Sequence, residues 1–323
     1  MRVLVTGSKG FIGKNLVLRL AELPDIEVLH FDREDELSML QTRALQADVV
    51  VHLAGENRPQ NDACFEKGNT GLTKELCEAV KLTGRKIPVV FASSIQAELS
   101  NPYGQSKRNA ELALEELSRQ SGNPVSIYRL PNIFGKWCKP NYNSVVATFC
   151  HNVARDLPVQ INDPSTRLHL VYVDDVVSEF LHAIGSISDG VRWGKVDAEY
   201  SITLGELAVQ IEAFRNCRST LISERVGIGL VRALYATYVS YLPPNSFAYA
   251  LPFHADKRGV FVEMLKTPDC GQFSYFSAHP GVTRGGHYHH TKSEKFLVIK
   301  GSARFCFKHV VTSETYEIVT SIS

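Results

Sequence analysis

Three side chains in the first third of the chain have the types and spacing needed to move a proton at a carbonyl group. Tyr103 and Lys107 stand four residues apart and would share one face of a helix, while Ser94 follows an apolar run upstream. A neighbouring ammonium stabilises a phenolate and lowers the pKa of the tyrosine, which can then shuttle a proton near neutral pH. The Ser94 hydroxyl can hydrogen-bond the same carbonyl oxygen. We therefore predict that Ser94, Tyr103 and Lys107 are catalytic.

A glycine-rich loop near the start of the chain could hold a pyrophosphate. A short apolar strand, Met1–Thr6, precedes it, and apolar residues at a helical period predict a helix from Lys14 to Leu23 after it. Glycines let backbone N–H groups approach the anion, and the helix dipole favours its charge. The spacing is GxxGxxG, one residue wider than the commonest dinucleotide fingerprint. We predict that the whole loop contacts the cofactor: Gly7, Ser8, Lys9, Gly10, Phe11, Ile12 and Gly13.

The cofactor choice depends on two residues that follow the predicted strand Glu27–Phe31. An acid such as Asp32 binds the ribose hydroxyls of NAD, whereas an arginine such as Arg33 accommodates the 2′-phosphate of NADP. Both are present, and Lys9 adds a second cation nearby. We therefore expect NADP(H) rather than NAD(H). The alternative interpretation is that Asp32 and Arg33 are only solvated loop charges.

Strands and helices alternate through the first half of the chain, which predicts a doubly wound parallel sheet of the α/β class. The strands Asp48–Ala54 and Pro88–Ala92 alternate with helices predicted at Glu36–Ala47 and Asn69–Thr83. The carboxyl ends of such strands carry the ligand site. Ser93 and Ser94 reach that edge, and the same edge receives Gly55-Glu56-Asn57-Arg58-Pro59.

Composition limits the function classes. The 323 residues suggest two domains, and a net charge of +1 provides no basic field for nucleic acid. The sequence has no apolar run long enough to span a bilayer, and no signal peptide is recognised at its start. Seven cysteines without a CxxC pair fit reduced, buried thiols. We expect a cytoplasmic protein, a homodimer, that binds neither nucleic acid nor membrane.

The motifs of residues 1 to 240 resemble the extended short-chain dehydrogenase/reductase family. They are Thr6-Gly7-xx-Gly10-xx-Gly13, His52-Leu53-Ala54, Asn69, Ser94, Tyr103-xxx-Lys107, Arg129-Leu130-Pro131-Asn132-Ile133-Phe134-Gly135 and Val173-Asp174-Asp175. The resemblance implies further cofactor contacts at Leu53, Ala54, Gly55, Asn69 and Pro131. It also implies a nucleotide-sugar pocket, for which we predict Asn57, Arg58, Asn132, Lys136, Asn141 and Asn143. Dehydratases of the family carry Asp-Glu after the catalytic hydroxyl; Ile95-Gln96 here favours simple hydride transfer.

The sequence from about Phe253 onward predicts a different, antiparallel β-domain. Short alternating strands are predicted at Val260–Leu265, Phe273–Ser277, Phe296–Ile299 and Ala303–Phe307. Period 2 places His287 and His289 on one strand face, and Glu294 can return from the next strand. These ligand types suit a divalent metal, for which we expect zinc; a His-rich surface turn is the alternative. The pattern resembles the first motif of the cupins, which are small jelly rolls.

A reductase followed by a cupin resembles the CapF-type family of bifunctional enzymes of capsular polysaccharide and O-antigen synthesis. We expect residues 1–243 to form the reductase domain and residues 244–323 a partial jelly roll. The resemblance implies that the cupin epimerises C3 of a UDP-2-acetamido-2,6-dideoxy-4-hexulose. The reductase then reduces C4 with NADPH to UDP-N-acetyl-6-deoxytalosamine, towards UDP-N-acetyl-L-fucosamine. A second cupin motif is not found before Ser323, so we expect a truncated cupin and weak epimerisation.

Two other functions fit the same residues. A nucleotide-sugar 4-epimerase uses the same Ser-Tyr-Lys set but keeps its NAD tightly bound through turnover. A non-catalytic protein could sense NADP(H), although such proteins usually lose the tyrosine or the lysine. Both Tyr103 and Lys107 are present, which favours an enzyme.

Overall fold

A computed structural model of the chain describes residues 1–58 and 61–322. Pro59, which ends the loop predicted at the sheet edge, lies outside the described residues. The strands of the first 203 residues are Arg2–Thr6 (β1), Glu27–Phe31 (β2), Val49–His52 (β3), Val89–Ser94 (β4), Val125–Leu130 (β5), Asn132–Phe134 (β6), Arg167–Tyr172 (β7), Val191–Gly194 (β8) and Glu199–Thr203 (β9). Six of them form one parallel sheet in the order β2-β1-β3-β4-β5-β8. The doubly wound parallel sheet predicted from the sequence is confirmed.

Helices connect these strands. The α-helices are Phe11–Ala21 (α1), Leu37–Gln46 (α2), Ala63–Phe65 (α3), Leu72–Leu82 (α4), Pro102–Ser121 (α5), Val145–Val153 (α6), Val173–Gly185 (α7), Leu204–Thr220 (α8) and Gly229–Ser240 (α9). A π-helical turn, Glu66–Gly71, joins α3 to α4, and a short 3₁₀ turn, Ile95–Glu98, follows β4. Among the described residues, none of the helices is long and apolar enough to cross a membrane.

The two faces of the parallel sheet are both covered by helices. Because successive strand residues point to opposite faces, Val3 and Val5 of β1 pack with Leu16 of α1, whereas Leu4 packs with Leu76 of α4. All five side chains are fully buried. Burial on both faces explains why the strands read as continuous apolar runs rather than as alternating ones.

A smaller sheet of β6, β7 and β9 extends this part of the chain beyond the main sheet. Helices α6, α8 and α9 pack beside it around a cluster that includes Phe149, Phe214 and Tyr238. Helix α8 begins with a capping box, in which Thr203 accepts from the Glu206 N–H and Glu206 accepts from the Thr203 N–H.

The chain divides into two compact units, Met1–Phe253 with Val262–Tyr275, and His254–Phe261 with Phe276–Ser323. The strands after α9 are Phe253–Asp256 (β10), Gly259–Thr267 (β11), Gly271–Phe276 (β12), Gly301–Lys308 (β13) and Thr315–Ile322 (β14). In the second unit β13 and β14 form an antiparallel hairpin, which agrees with the antiparallel strands predicted for this part of the chain. The strand predicted at Phe296–Ile299 is wrong, since these residues carry no regular structure. All seven cysteines are free thiols.

Candidate active site

The predicted cofactor loop has the geometry of a backbone cradle. Gly7 has a left-handed φ of +70°, and an added Cβ would lie 2.8 Å from the backbone of Ala54. At Gly13 a Cβ would lie 2.1 Å from the Gly7 oxygen, so only glycine lets α1 approach the loop this closely. Helix α1 starts after Gly10 with no side-chain cap and no acid in its first turn. Its first N–H groups therefore remain available to an anion.

The loop and the end of β2 are joined through Asp32. The Ser8 hydroxyl donates to one carboxylate oxygen of Asp32 at 2.5 Å, and the Lys9 N–H donates to the other at 2.9 Å. Asp32 is nearly buried. This carboxylate therefore stabilises the cradle itself, in addition to any contact with a ribose. The sequence did not indicate that second role.

The arginine predicted to bind a 2′-phosphate is paired with an acid from the next strand end. Arg33 Nη2 contacts Glu56 Oε1, and the Arg33 side chain is 78% exposed. Because the guanidinium is at the surface, a bound phosphate could still compete for it. The sequence gives no signal for the partner Glu56, since no periodicity relates residues that follow two different strands.

Asn69 fixes the loop that follows β3. Its amide oxygen accepts from the Glu56 N–H at 2.8 Å, and its amide nitrogen donates to the Ser106 hydroxyl at 2.9 Å. A Cβ on Gly55 would lie 2.7 Å from the Asn69 oxygen and 3.4 Å from Lys107 Nζ. Gly55 and Asn69 thus join the β3 edge to the catalytic helix, and Asn69 lies on the π-helical turn, a frequent feature of functional sites. The neighbouring Leu53 and Ala54 lie part-buried at the same edge.

Helix α5 begins beside the end of β4 and carries the predicted catalytic pair. Asn101 caps it by accepting from the Gly104 N–H at 2.7 Å, and Pro102 occupies its first turn. Tyr103 packs its ring on Phe65 at 5.5 Å between centroids. Ser94 accepts a hydrogen bond from the Gln96 N–H at 3.2 Å, and its hydroxyl lies close enough to the Tyr103 phenol to act on the pKa of that phenol. The structure thus brings Ser94 and Tyr103 together.

Lys107 is buried below the tyrosine, with 6% of its surface exposed. Its Nζ donates to the Ala92 carbonyl at 3.0 Å and lies 5.1 Å from the centre of the Phe91 ring. Burial lowers the pKa of Lys107 to about 8, with Glu111 acting in the opposite direction. The ammonium can therefore lose its proton within the range in which enzymes work.

The titration of Tyr103 differs from the prediction. Burial raises the pKa of Tyr103, and the nearby Ser94 hydroxyl opposes the rise; Lys107 does not contribute. The physical reason is that the ammonium bonds to Ala92 instead of the phenol. The depressed phenol pKa that the i, i+4 spacing predicts is therefore not present in this arrangement of the site.

The predicted substrate residues fall into separate groups. Asn57 and Arg58 are exposed after β3, and Asn132 is exposed in β6, directly after the half-buried Pro131. Lys136 pairs with Asp174 instead of facing an open space. Arg167 is exposed and donates to the Ser201 hydroxyl at 3.2 Å.

Asn141 lines a cavity of about 600 Å³ beside α6. Its N–H donates to Thr148 Oγ1 at 3.0 Å, and its backbone is left-handed at φ 55°. The other lining residues combine amides and a hydroxyl with apolar groups: Val145, Thr148, Phe149, Asn152, Pro158, Val159 and Gln160. Asn143 is exposed in the same loop. A flat ring with hydrogen-bonding edges would suit such walls.

The second unit brings the three predicted metal ligands together. One ligand atom each from His287, His289 and Glu294 lies within 4.8 Å of the others. The two imidazole rings are 5.0 Å apart at their centroids. These residues lie in irregular backbone, so the strand placement expected for them is wrong although the cluster itself forms. Two imidazoles and a carboxylate at this spacing fit a divalent transition metal.

Three features define a dinucleotide-binding enzyme of the short-chain dehydrogenase/reductase class. They are the parallel doubly wound sheet, the glycine cradle before its first helix and the Ser-Tyr-Lys set at its edge. The chain belongs to the NAD dependent epimerase/dehydratase family, whose profile matches residues 3–196. Residues 254–323 match the polysaccharide biosynthesis C-terminal domain. The resemblance to CapF-type enzymes drawn from the motifs is confirmed by the comparisons that follow.

Two proteins are similar along nearly the whole chain. A UDP-2-acetamido-2,6-beta-L-arabino-hexul-4-ose reductase of Pseudomonas aeruginosa is 56% identical over 99% of this chain and 86% of its own length. The crystal structure of the capsular polysaccharide assembling protein CapF from Staphylococcus aureus has a TM-score of 0.90. It is 42% identical, over 99% of this chain and 87% of that one. A UDP-glucose 4-epimerase of Mycolicibacterium smegmatis is 28% identical over 60% of this chain and 76% of its own length.

Proposed function

We propose that the protein is an NADPH-dependent reductase of a UDP-linked 4-keto sugar, UDP-2-acetamido-2,6-dideoxy-4-hexulose. The observation that carries the proposal is the 56% identity, over 99% of the chain, to a reductase of that description. The assembled Ser94, Tyr103 and Lys107 support it, because these groups can donate a proton to a carbonyl oxygen and stabilise the charge that develops there. The product would be UDP-N-acetyl-6-deoxytalosamine, an intermediate for surface polysaccharide.

The residues of the chain divide the work of such a reduction. The loop Gly7–Gly13 and Asn69 would hold the cofactor, and bound NADPH supplies the hydride that reaches C4. The Tyr103 phenol donates its proton to the C4 oxygen, since burial keeps the phenol protonated at neutral pH. The Ser94 hydroxyl donates a hydrogen bond to the same oxygen as negative charge develops there. Lys107 holds the strand end through Ala92 and places a positive charge beneath the site.

The cavity beside α6 is our candidate for the uracil of the substrate. Its amides, from Asn141, Asn152 and Gln160, can meet the hydrogen-bonding edge of a pyrimidine, and Phe149 offers an aromatic wall. Arg33 is proposed for the 2′-phosphate of NADPH, in exchange for its contact with Glu56.

A second activity is proposed for the C-terminal unit. His287, His289 and Glu294 would hold a divalent metal, for which we propose zinc, as in the cupins. With this metal the unit would epimerise C3 next to the ketone. The convergence of the three ligand atoms supports the metal, and the match to a polysaccharide biosynthesis domain supports the pathway.

The deciding experiment measures NADPH oxidation with a panel of UDP- and dTDP-linked 4-keto-6-deoxy sugars. We expect turnover with the UDP-linked 2-acetamido sugars, and no turnover with any of the panel would refute the reductase. A 4-epimerase, favoured by the likeness to UDP-glucose 4-epimerase, would instead be purified with NAD bound and would convert 4-hydroxy sugars without added cofactor.

A further inference from the structure

Helix α5 continues its catalytic face one turn beyond Lys107, to a glutamate that the proposed reaction does not use. Tyr103, Lys107 and Glu111 are spaced four residues apart along the helix. They contact three consecutive residues at the end of β4, which are Ser94, Ala92 and Ser93 respectively. The strand end that carries the catalytic hydroxyl is thus held at three successive residues by one helix face.

The Glu111 side chain is fully buried and accepts four hydrogen bonds. The Ser93 hydroxyl donates to Oε1 at 2.5 Å, Arg129 donates to both oxygens at 2.9 and 2.7 Å, and Arg108 donates to Oε2 at 3.0 Å. Burial alone would raise the pKa of Glu111, but the hydrogen bonds from Arg129, Ser93 and Arg108 outweigh it and the pKa is lowered. The carboxylate is therefore charged at neutral pH and fully partnered.

The strand register makes this contact directional. Arg129 of β5 lies directly opposite Ser93 in the ladder between β4 and β5, so Glu111 bonds to both residues of one cross-strand pair. Successive side chains of a strand point to opposite faces. Fixing the direction of the Ser93 side chain therefore also fixes the direction in which the side chain of the next residue, Ser94, points.

We propose that Glu111 is a positioning residue, which sets the orientation of the catalytic Ser94 hydroxyl through Ser93 and Arg129. An ordinary buried ion pair would only stabilise the fold. A positioning role predicts in addition that loosening the contact lowers kcat in the folded enzyme, because small displacements of catalytic groups cost up to about a hundredfold in rate. The inference uses the proposed reductase activity as its assay.

The experiment compares Ser93→Ala, Glu111→Gln and the double variant with the parent in NADPH-dependent reduction of the ketosugar. We expect kcat to fall by about three- to tenfold in Ser93→Ala and about ten- to a hundredfold in Glu111→Gln. The KM for NADPH should stay within about twofold. Because both changes act through one contact, their effects should be less than additive in the double variant. Glu115→Gln is the matched control: Glu115 also bonds to Arg108, at 2.9 Å, one turn further along α5.

A folded Ser93→Ala protein with parental kcat, or strictly additive effects in the double variant, would overturn the proposal. Ser93→Ala removes only one hydroxyl, so the test stands even where Glu111→Gln does not fold. Crystal structures of the parent and Ser93→Ala provide a readout that needs no substrate. We expect the Ser94 hydroxyl to move away from the Tyr103 phenol, and an unmoved hydroxyl contradicts the proposal. A parent that folds but reduces no ketosugar would refute the proposed function instead.

Discussion

The Lys107 ammonium donates to the Ala92 carbonyl oxygen at 3.0 Å, and this contact places the cation under the strand end instead of against the Tyr103 phenol. The phenol is then governed by burial, which raises its pKa. A protonated phenol at neutral pH suits an enzyme that reduces a ketone, because the ketone oxygen needs a proton. The raised pKa of the Tyr103 phenol therefore agrees with a reaction in the direction of ketone reduction.

The proton-donating role of Tyr103 is tested by Tyr103→Phe. The ring can still pack on Phe65, so cofactor binding should stay nearly unchanged while the reduction rate falls by at least about 10²–10⁴-fold. Steady-state rates and NADPH titration measure the two properties separately. Tyr249→Phe, at a half-exposed tyrosine, is the control and should keep parental rates. Turnover within a few-fold of the parent would exclude Tyr103 as the acid.

The buried Lys107 should give the reaction an alkaline limit. Its pKa is lowered to about 8, so the ammonium is present below pH 8 and is lost as the pH rises through that value. Around it, Glu111 favours the charge, while the His52 imidazole stays neutral with a pKa of about 3. We expect kcat/KM for NADPH to fall above about pH 8, because this parameter reports groups of the free enzyme. Lys107→Met should be nearly inactive and should lack this titration, and a flat parental profile up to pH 9.5 would contradict the assignment.

The same lysine has a consequence for folding. In the unfolded chain it titrates at its ordinary value of 10.5, so between about pH 8 and 10.5 the unfolded state binds more protons. The contribution of Lys107 to the free energy of unfolding therefore rises with pH in this window. Urea titrations of the parent and Lys107→Met at pH 7.5 and 9.5 compare that slope.

Sequence reasoning predicted the elements of the fold better than the partners of the side chains. β2 covers the predicted residues Glu27–Phe31, and the glycine loop was found because strand and helix periods bracket it. The pairing of Arg33 with Glu56 and of Ser93 with Glu111 was not predicted. Periodicity shows which face a residue occupies, whereas these pairs depend on how separate elements are placed side by side.

In the C-terminal unit a predicted strand was wrong, whereas a predicted cluster of side chains was found. The apolar run Phe296–Ile299 predicted a strand, but a strand exists only where a neighbour pairs with its backbone. The structure pairs Gly301–Lys308 with Thr315–Ile322 instead. The His-x-His spacing still predicted the cluster, because two alternate residues and a nearby acid can converge without regular structure.

The contact between Arg33 and Glu56 predicts a change in cofactor preference. Arg33→Ala should weaken NADPH binding by about ten- to a hundredfold and NADH binding much less, since only NADPH carries a phosphate for the guanidinium. Glu56→Gln should tighten NADPH relative to NADH, because the arginine no longer has a competing carboxylate. Fluorescence titration with both cofactors measures each affinity, with Arg19→Ala on the outer face of α1 as control. If Arg33→Ala weakened the binding of NADPH and NADH equally, Asp32 rather than Arg33 would determine the cofactor preference.

The cradle predicts a sharp difference between two glycines. Gly13→Ala places a methyl group 2.1 Å from the Gly7 oxygen and 2.8 Å from Ser8 Cα, so backbone must move. We expect loss of cofactor binding and a destabilisation of about 1–3 kcal/mol. Gly185→Ala, at the end of α7, meets nothing within 4 Å and should leave Tm and binding unchanged. Thermal melts with and without NADPH check both, and a Gly13→Ala protein that binds NADPH normally would refute the cradle.

The cluster of His287, His289 and Glu294 predicts binding of one Zn²⁺ per chain. Its ligand atoms already lie within 4.8 Å of one another, so little rearrangement is needed to reach a common ion. His289→Ala removes one of three ligands and should weaken Zn²⁺ by at least about tenfold. His290→Ala is the matched control, since the His290 ring packs edge-to-face against Tyr288 and lies outside the cluster. Calorimetric titration of the full chain with zinc chloride measures both affinities. Equal losses in the two histidine variants would place the ion elsewhere on the chain.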